Sequence, residues 1–203
     1  MRSTVTAVAV CSAVALVACG DDDATTTGES AATTTTEAAQ APGEISQITG
    51  SKPAPDIRAG ALEDALPESV NGMKLKRVDE LPALLDAGAD DAAKASYANT
   101  DAIEGFNHEL ALFGSSEDAE TWRERVVEYV TAAVGDEDAY RVEGEEAVTG
   151  PDGAQVGTVT LLHAGTGRDY SLLWTNGAVY GAIDTYRVGS PSFVAAVYDA
   201  LPY

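Results

Sequence analysis

All of the aromatic side chains in this 203-residue chain lie at Tyr97 or beyond. Aromatic groups supply much of the area that a core buries. A stable body therefore has to be built from the second half of the sequence, with short elements before it in support. Phe106, His108, Leu110 and Leu112 alternate with Asn107, Glu109 and Ala111, which predicts a strand over 106–113 with the Phe106 side facing a core. The period then lengthens. Ala119, Trp122, Val126, Tyr129, Val130 and Ala133 fall on one stripe of a helix, with Ser115 or Ser116 placed to cap it and Gly135 to end it.

Beyond that helix the period shortens again. Strands are expected over 140–148 and 155–164, joined by the turn Gly150-Pro151-Asp152-Gly153. A tight hairpin follows, 170–175 and 178–186, turning on Asn176-Gly177. That register sets Trp174 opposite Val179 and puts Leu173, Tyr180, Ala182 and Asp184 on the other side. Ser190 and Pro191 open a closing helix whose buried side is Phe193, Val194, Val197 and Leu201.

Upstream of Tyr97 the signals are shorter. Ala61 to Leu66 reads as a helical turn stopped by Pro67, and Asn71-Gly72 leads into an edge strand over 73–78. Its Lys74 and Lys76 share a face and guard the edge against unwanted pairing. A short helix starts at Leu81, and Asp86 to Asp91 reads as a solvated acidic loop without regular EF-hand spacing. The order of elements predicts one α+β domain over 57–203, its core from about Met73. The expected architecture is a meandering antiparallel sheet with helices packed on one face.

The N-terminal residues carry a different message. Met1 and Arg2 precede an uncharged run of small and apolar residues, Thr4 to Ala18, which ends in Leu16-Val17-Ala18-Cys19. The run is too short to span a bilayer, which takes about 20 apolar residues, and Asp21-Asp22-Asp23 stands where it would continue. Leu-Val-Ala-Cys resembles, residue for residue, the lipobox of bacterial lipoproteins. The resemblance implies cleavage after Ala18 and a thioether-linked diacylglyceryl group on Cys19. It places the mature chain on the extracytoplasmic face of the cell membrane, held by its lipid.

From Cys19 to about Asp56 the chain is rich in threonine, alanine and acids, and its lack of apolar periodicity predicts a disordered tether. Treated as a flexible coil, such a segment has a root-mean-square span of about 35 Å. Cys11 lies in the leader, so Cys19 is the sole mature cysteine. That count excludes an internal disulfide and a cysteine-ligated zinc or iron-sulfur site. The formal charge is −21, and loss of Arg2, the one charge in the leader, makes it −22. So acidic a chain repels phosphate backbones, which argues against nucleic acid as a partner.

The sequence carries no Gly-x-Ser-x-Gly elbow, Ser-x-x-Lys pair, His-Glu-x-x-His, Walker loop or dinucleotide fingerprint. His108 and His163 each share a strand face with apolar neighbours and read as core or edge histidines. Glu145 and Glu146 point to opposite faces of a strand, a poor general acid and base. Gly165-Thr166-Gly167-Arg168 reads as a hairpin loop. No catalytic residue, metal site or cofactor is expected. The sequence supports a non-catalytic module that binds or organises envelope proteins, with a small-molecule or lipid carrier as the alternative and an enzyme third. The carrier reading rests on Leu173, Tyr180 and Tyr186, which would lie on an open sheet face if the helices cover the Trp174 side. An exposed apolar patch would favour the first reading, and an apolar pocket the second.

Overall fold

The structure is a computed structural model that describes residues 52, 55–101, 104–132, 140–164, 169–187 and 189–202. All belong to one compact unit. Eight strands and four helices occur among them. In chain order these are α1 Leu62–Ala65, β1 Ser69–Val70, β2 Met73–Glu80, α2 Pro82–Asp86, β3 Asp91–Ala98, β4 Gly105–Leu112, α3 Ser116–Thr131, β5 Tyr140–Thr149, β6 Gln155–Ala164, β7 Tyr170–Asn176, β8 Val179–Tyr186 and α4 Pro191–Ala200. The strands form a single sheet in the order β1-β2-β3-β4-β8-β7-β6-β5, and every pairing is antiparallel. Among the described residues no helix is long and apolar enough to cross a membrane.

The α+β class holds, but the sheet is two meanders rather than one. β1 to β4 run outward-in, β5 to β8 do the same from the opposite edge, and the two halves meet where β4 pairs with β8. α3 makes the crossing from the centre to the far edge. Sixteen residues of helix extend about 24 Å, enough to cover the four strand spacings of about 4.8 Å between β4 and β5. Ser115 Oγ accepts a 3.1 Å hydrogen bond from the Asp118 amide at the start of α3, and Ser190 Oγ does the same for Phe193 in α4.

Helices cover both faces, which corrects the expectation of one covered face. α1 and α4 pack on the side carrying Tyr97, Phe106, Leu172, Trp174 and Ile183. α2 and α3 pack on the side carrying Ala111, Leu162, Leu173, Tyr180 and Ala182. The reason lies in the central strands. Leu172-Leu173-Trp174 is apolar at consecutive positions, so both parities need cover, as in any strand buried on both sides.

Three further expectations change. β3 lies where only an acidic loop and mixed signals were read; its Ala92, Ala93, Ala95 and Ala98 are buried, and Tyr97 stacks on Phe106 with centroids 4.7 Å apart. The β7–β8 turn sits one residue later, on Gly177-Ala178, so Trp174 faces Gly181 and Asn176 faces Val179. Gly177 has φ 59° while Ala178 is not at positive φ, and glycine at the first centre of the turn fits type II′. Third, Tyr129 leaves the stripe of α3 at 69% exposure, and Arg123 is buried in its place. Ala133, Gly135 and 165–168 lie outside the described residues. Lys52 lies against α4: its ammonium sits 4.1 Å from the Tyr198 ring centroid and donates to the carbonyls of Tyr198 and, at 3.1 Å, Leu201.

Candidate functional site

Register decides what meets beneath α3. On β4, Glu109 stands between Lys94 of β3 and Ala182 of β8; on β8, Asp184 stands between Asn107 of β4 and Ser171 of β7. Glu109 and Asp184 are therefore diagonal neighbours on adjacent strands, on the face that α3 covers. The two carboxyls and Ser171 contribute polar groups to the lining of a cavity of about 150 Å³. Val126 and Val130 of α3 supply part of its apolar wall, and Leu162, Leu173 and Ala182 supply the rest. Tyr140, Ser171 and Tyr180 complete the lining.

Lys94 Nζ donates to Glu109 Oε1 at 3.1 Å, and Ser171 Oγ donates to Asp184 Oδ1 at 2.5 Å. Burial lifts the Glu109 carboxyl above the usual range, and the nearby Asp184 charge lifts it further, while Lys94 pulls it back. Asp184 is raised by burial too, opposed by the Ser171 hydrogen bond and by Lys94. The Tyr180 hydroxyl is pushed well up by burial and then by the same two carboxyls. All three shifts have one origin. Negative charge at this end is poorly solvated, and Lys94 offsets part of it at both carboxyls.

A second polar cluster lies beside the cavity and fixes its roof. Arg123, 4% exposed, donates from Nη2 to Glu120 Oε1 at 2.7 Å and from Nη1 to Glu145 Oε2 at 3.0 Å. Its Nη1 also donates to the Thr160 hydroxyl. Glu120 Oε2 in turn accepts from Thr175 Oγ1 at 2.6 Å. The guanidinium ties α3 to β5 and β6 and Glu120 ties it to β7, which makes this cluster a strut.

Neither histidine reaches the cavity. His108 is fully buried on the opposite face, 6.4 Å from the Trp174 ring centroid, and burial, with Lys52 nearby, pushes it down to about 3. His163 of β6 stacks on Tyr170 at 4.4 Å, with Nδ1 3.5 Å from Glu143 Oε1. Among the described residues no group of three His, Cys, Asp or Glu side chains is placed to hold a metal ion. The cavity can therefore solvate, orient and neutralise a guest, but the residues lining it supply no nucleophile paired with an imidazole base.

Of the residues singled out from the sequence, Leu173 and Tyr180 do line this cavity, as a wall under α3 and not as an open face. Tyr186 is elsewhere. Its ring lies over Gly105, where a β-carbon would stand 2.1 Å from the Tyr186 hydroxyl, and that hydroxyl donates to the Tyr97 carbonyl at 3.2 Å. Cys19 lies outside the described residues. Glu109, Asp184, Lys94 and Ser171 were missed as site residues. The available signal was an acid at an inward position of a central strand, with Ala111 or Ala182 as its same-face neighbour.

No family model and no curated protein matches the chain. Among solved structures, it is similar to the extracellular domain of PknH from Mycobacterium tuberculosis, with 10% identity and a TM-score of 0.45, over 73% of this chain and 96% of that one. It is also similar to a GTP binding regulator from Thermotoga maritima, with 14% identity and a TM-score of 0.41, over 74% and 92% of the respective chains. No family follows from either likeness.

Proposed function

We propose that this chain is a lipid-anchored, extracytoplasmic binding protein that receives a small ligand in the cavity between α3 and the sheet, without transforming it. The anchor rests on Leu16-Val17-Ala18-Cys19. Two acyl chains on Cys19 would hold the protein at the membrane, where one chain is marginal. The observation that carries the binding role is the cavity itself, about 150 Å³ with an apolar wall and polar groups in its lining. Ligand sites are commonly built this way, with a few placed polar groups giving orientation. Histidines remote from the cavity favour binding over chemistry. The organising role stands second, because the exposed large apolar residues among the described ones, Leu85, Tyr129 and Val142, lie on three different elements, α2, α3 and β5.

Two measurements test this. Cys19→Ser should move the protein from the membrane fraction to the soluble fraction and abolish incorporation of labelled palmitate; an unchanged distribution removes the anchor from the proposal. The full chain, purified from its own membranes in mild detergent, should give a native mass spectrum with an added small mass that is lost on denaturation. A clean apo mass counts against the ligand reading, and a stoichiometric co-purifying protein would favour the organising role instead.

A further inference from the structure

The two edges of the sheet are open and carry opposite charge. At one edge, β1 is two residues long and pairs only with Met73 and Lys74 of β2, so from Lys76 onward no strand lies outside β2 among the described residues. At the other edge, β5 pairs with β6 alone. Lys74, Lys76 and Arg77 are exposed on the first edge, which concentrates three of the twelve lysines and arginines of a chain of charge −21 in one short stretch. Glu143, Glu145 and Glu146 are exposed on the second. Both strands are bulged, and each time the extra residue is charged: Lys76 between Leu75 and Arg77, and Glu143 between Val142 and Gly144. A bulge weakens plain backbone pairing at an edge, so charge decides what such an edge accepts.

We infer that copies of this chain associate head to tail, with the basic β2 edge of one copy against the acidic β5 edge of the next. The inference gives the organising role its partner and needs neither the cavity nor its ligand. The charges select this contact over its alternatives. Two β2 edges would set lysine against lysine, and two β5 edges glutamate against glutamate, and like charges facing each other across strands are destabilising where opposite ones attract. Lys74 and Lys76 enter no ion pair among the described residues, whereas Arg77 is held by Asp79 at 2.6 Å and Glu145 by Arg123 at 3.0 Å. The pairs between copies therefore fall to the two lysines, against Glu146 and against Glu143, which lies 3.5 Å from His163 Nδ1. The acidity of the whole chain does not forbid the contact, because at physiological salt charges more than about 8 Å apart are largely screened and those at the facing edges dominate. An unrelated acidic protein would answer β2 and leave β5 unanswered; a second copy answers both. Since the two surfaces differ, the contact repeats from copy to copy instead of closing as a symmetric pair.

The test is cross-linking of the full chain in its own isolated membranes, at physiological salt, with a zero-length carbodiimide that joins an amine only to a carboxyl it touches. Products are mapped by mass spectrometry. Within one chain β2 and β5 are six strand spacings apart, about 29 Å. A bond from Lys74 or Lys76 to Glu143 or Glu146 can therefore form only between copies. Dimers, trimers and larger species carrying that bond are expected. A chain bearing Lys74→Glu, Lys76→Glu, Glu143→Lys and Glu146→Lys together should give the same series, with amine and carboxyl exchanged between the edges. If the protein is found in the soluble fraction, it is cross-linked there in the same way, so failure of the anchor is read separately from this result. No multimers in the parent chain, or multimers whose bonds join other sites, overturns the inference. So does a four-substituted chain that melts like the parent and forms no exchanged bond, because the contact would then not be made by charge; if that chain fails to fold, the bond mapped in the parent decides.

Discussion

The indole of Trp174 lies on Gly181, its partner across β7 and β8: a β-carbon at Gly181 would stand 2.2 Å from both Cε2 and Cζ2. The ring is held from two other sides, by His108 at 6.4 Å and by the edge of Tyr198 at 5.8 Å. It cannot retreat from an added methyl group. Gly181→Ala should therefore destabilise the protein by about 2–3 kcal/mol, the upper part of the range for overpacking. Gly114→Ala, where nothing lies within 4 Å, is the control and should change stability by less than about 1 kcal/mol. Urea unfolding of both variants checks the difference.

His108 should dominate the acid limb of stability just below neutrality. Its folded-state value is pushed from 6.5 down to about 3 by burial and by the Lys52 charge. The unfolded chain therefore takes up a proton that the folded chain refuses. The stabilisation is complete above 6.5 and is lost as pH falls toward about 3, at about 1.4 kcal/mol per unit once well inside that window. Glu120, lowered from 4.5 through Arg123 and Thr175 hydrogen bonds that outweigh its burial, acts in the same direction only at lower pH. Between pH 7 and 5, His108→Phe should flatten the decline in urea midpoint that the parent chain shows. An identical decline in both would mean that the histidine is not the group responsible.

How much of this arrangement can be read from the sequence depends on whether a feature is local. The capped α3, the Gly150 to Gly153 turn and the strand parity of β4 are local, and each is visible in residue spacing. β3 is hidden because alanine is depleted in strands. Ala92, Ala93 and Ala95 are nonetheless buried there, Ala93 and Ala95 in one core and Ala92 in the other. Glu109 and Asp184 were legible as inward positions, but their meeting depends on β4 pairing with β8 across 66 residues of intervening chain. No local pattern encodes that pairing. The open face expected around Leu173 and Tyr180 came from treating the hairpin as one-sided, although its consecutive apolar residues already require two covers.

Asp184 should be a cost to stability at neutral pH. Its carboxyl is raised by burial, so the folded state favours the protonated form. The stabilising contribution of that form is fully present below the unfolded value of 3.8 and is lost as pH rises through the raised folded value. Asp184→Asn keeps an acceptor for the Ser171 hydroxyl and carries no charge. The variant should melt higher than the parent at pH 7, and the gap should close on acidification. Thermal melts at the two extremes check both the sign and its disappearance. A gap that persists in acid would point to packing instead.

Arg123 should matter for stability more than its place on the exposed side of a sequence stripe suggests. Its guanidinium is 4% exposed and bonds Glu120, Glu145 and Thr160 at once. Arg123→Met removes the cation and leaves Glu120 with hydroxyl partners, Thr175 and Thr158, in its place. Breaking one side of a buried ion pair typically costs 3–5 kcal/mol. Glu120 and Glu145 keep side-chain exposures of 30% and 52%, so water can recover part of that loss and the expected cost is about 3 kcal/mol. Arg123→Lys should restore little, because an ammonium cannot reproduce the planar fork that spans two carboxylates and a hydroxyl. Since the same guanidinium fixes the roof of the cavity, both variants should also speed amide exchange in α3 around Val126 and Val130, while exchange in β3 stays as in the parent. Exchange that rises equally in β3 would mean global loosening, and the strut assignment would then fail.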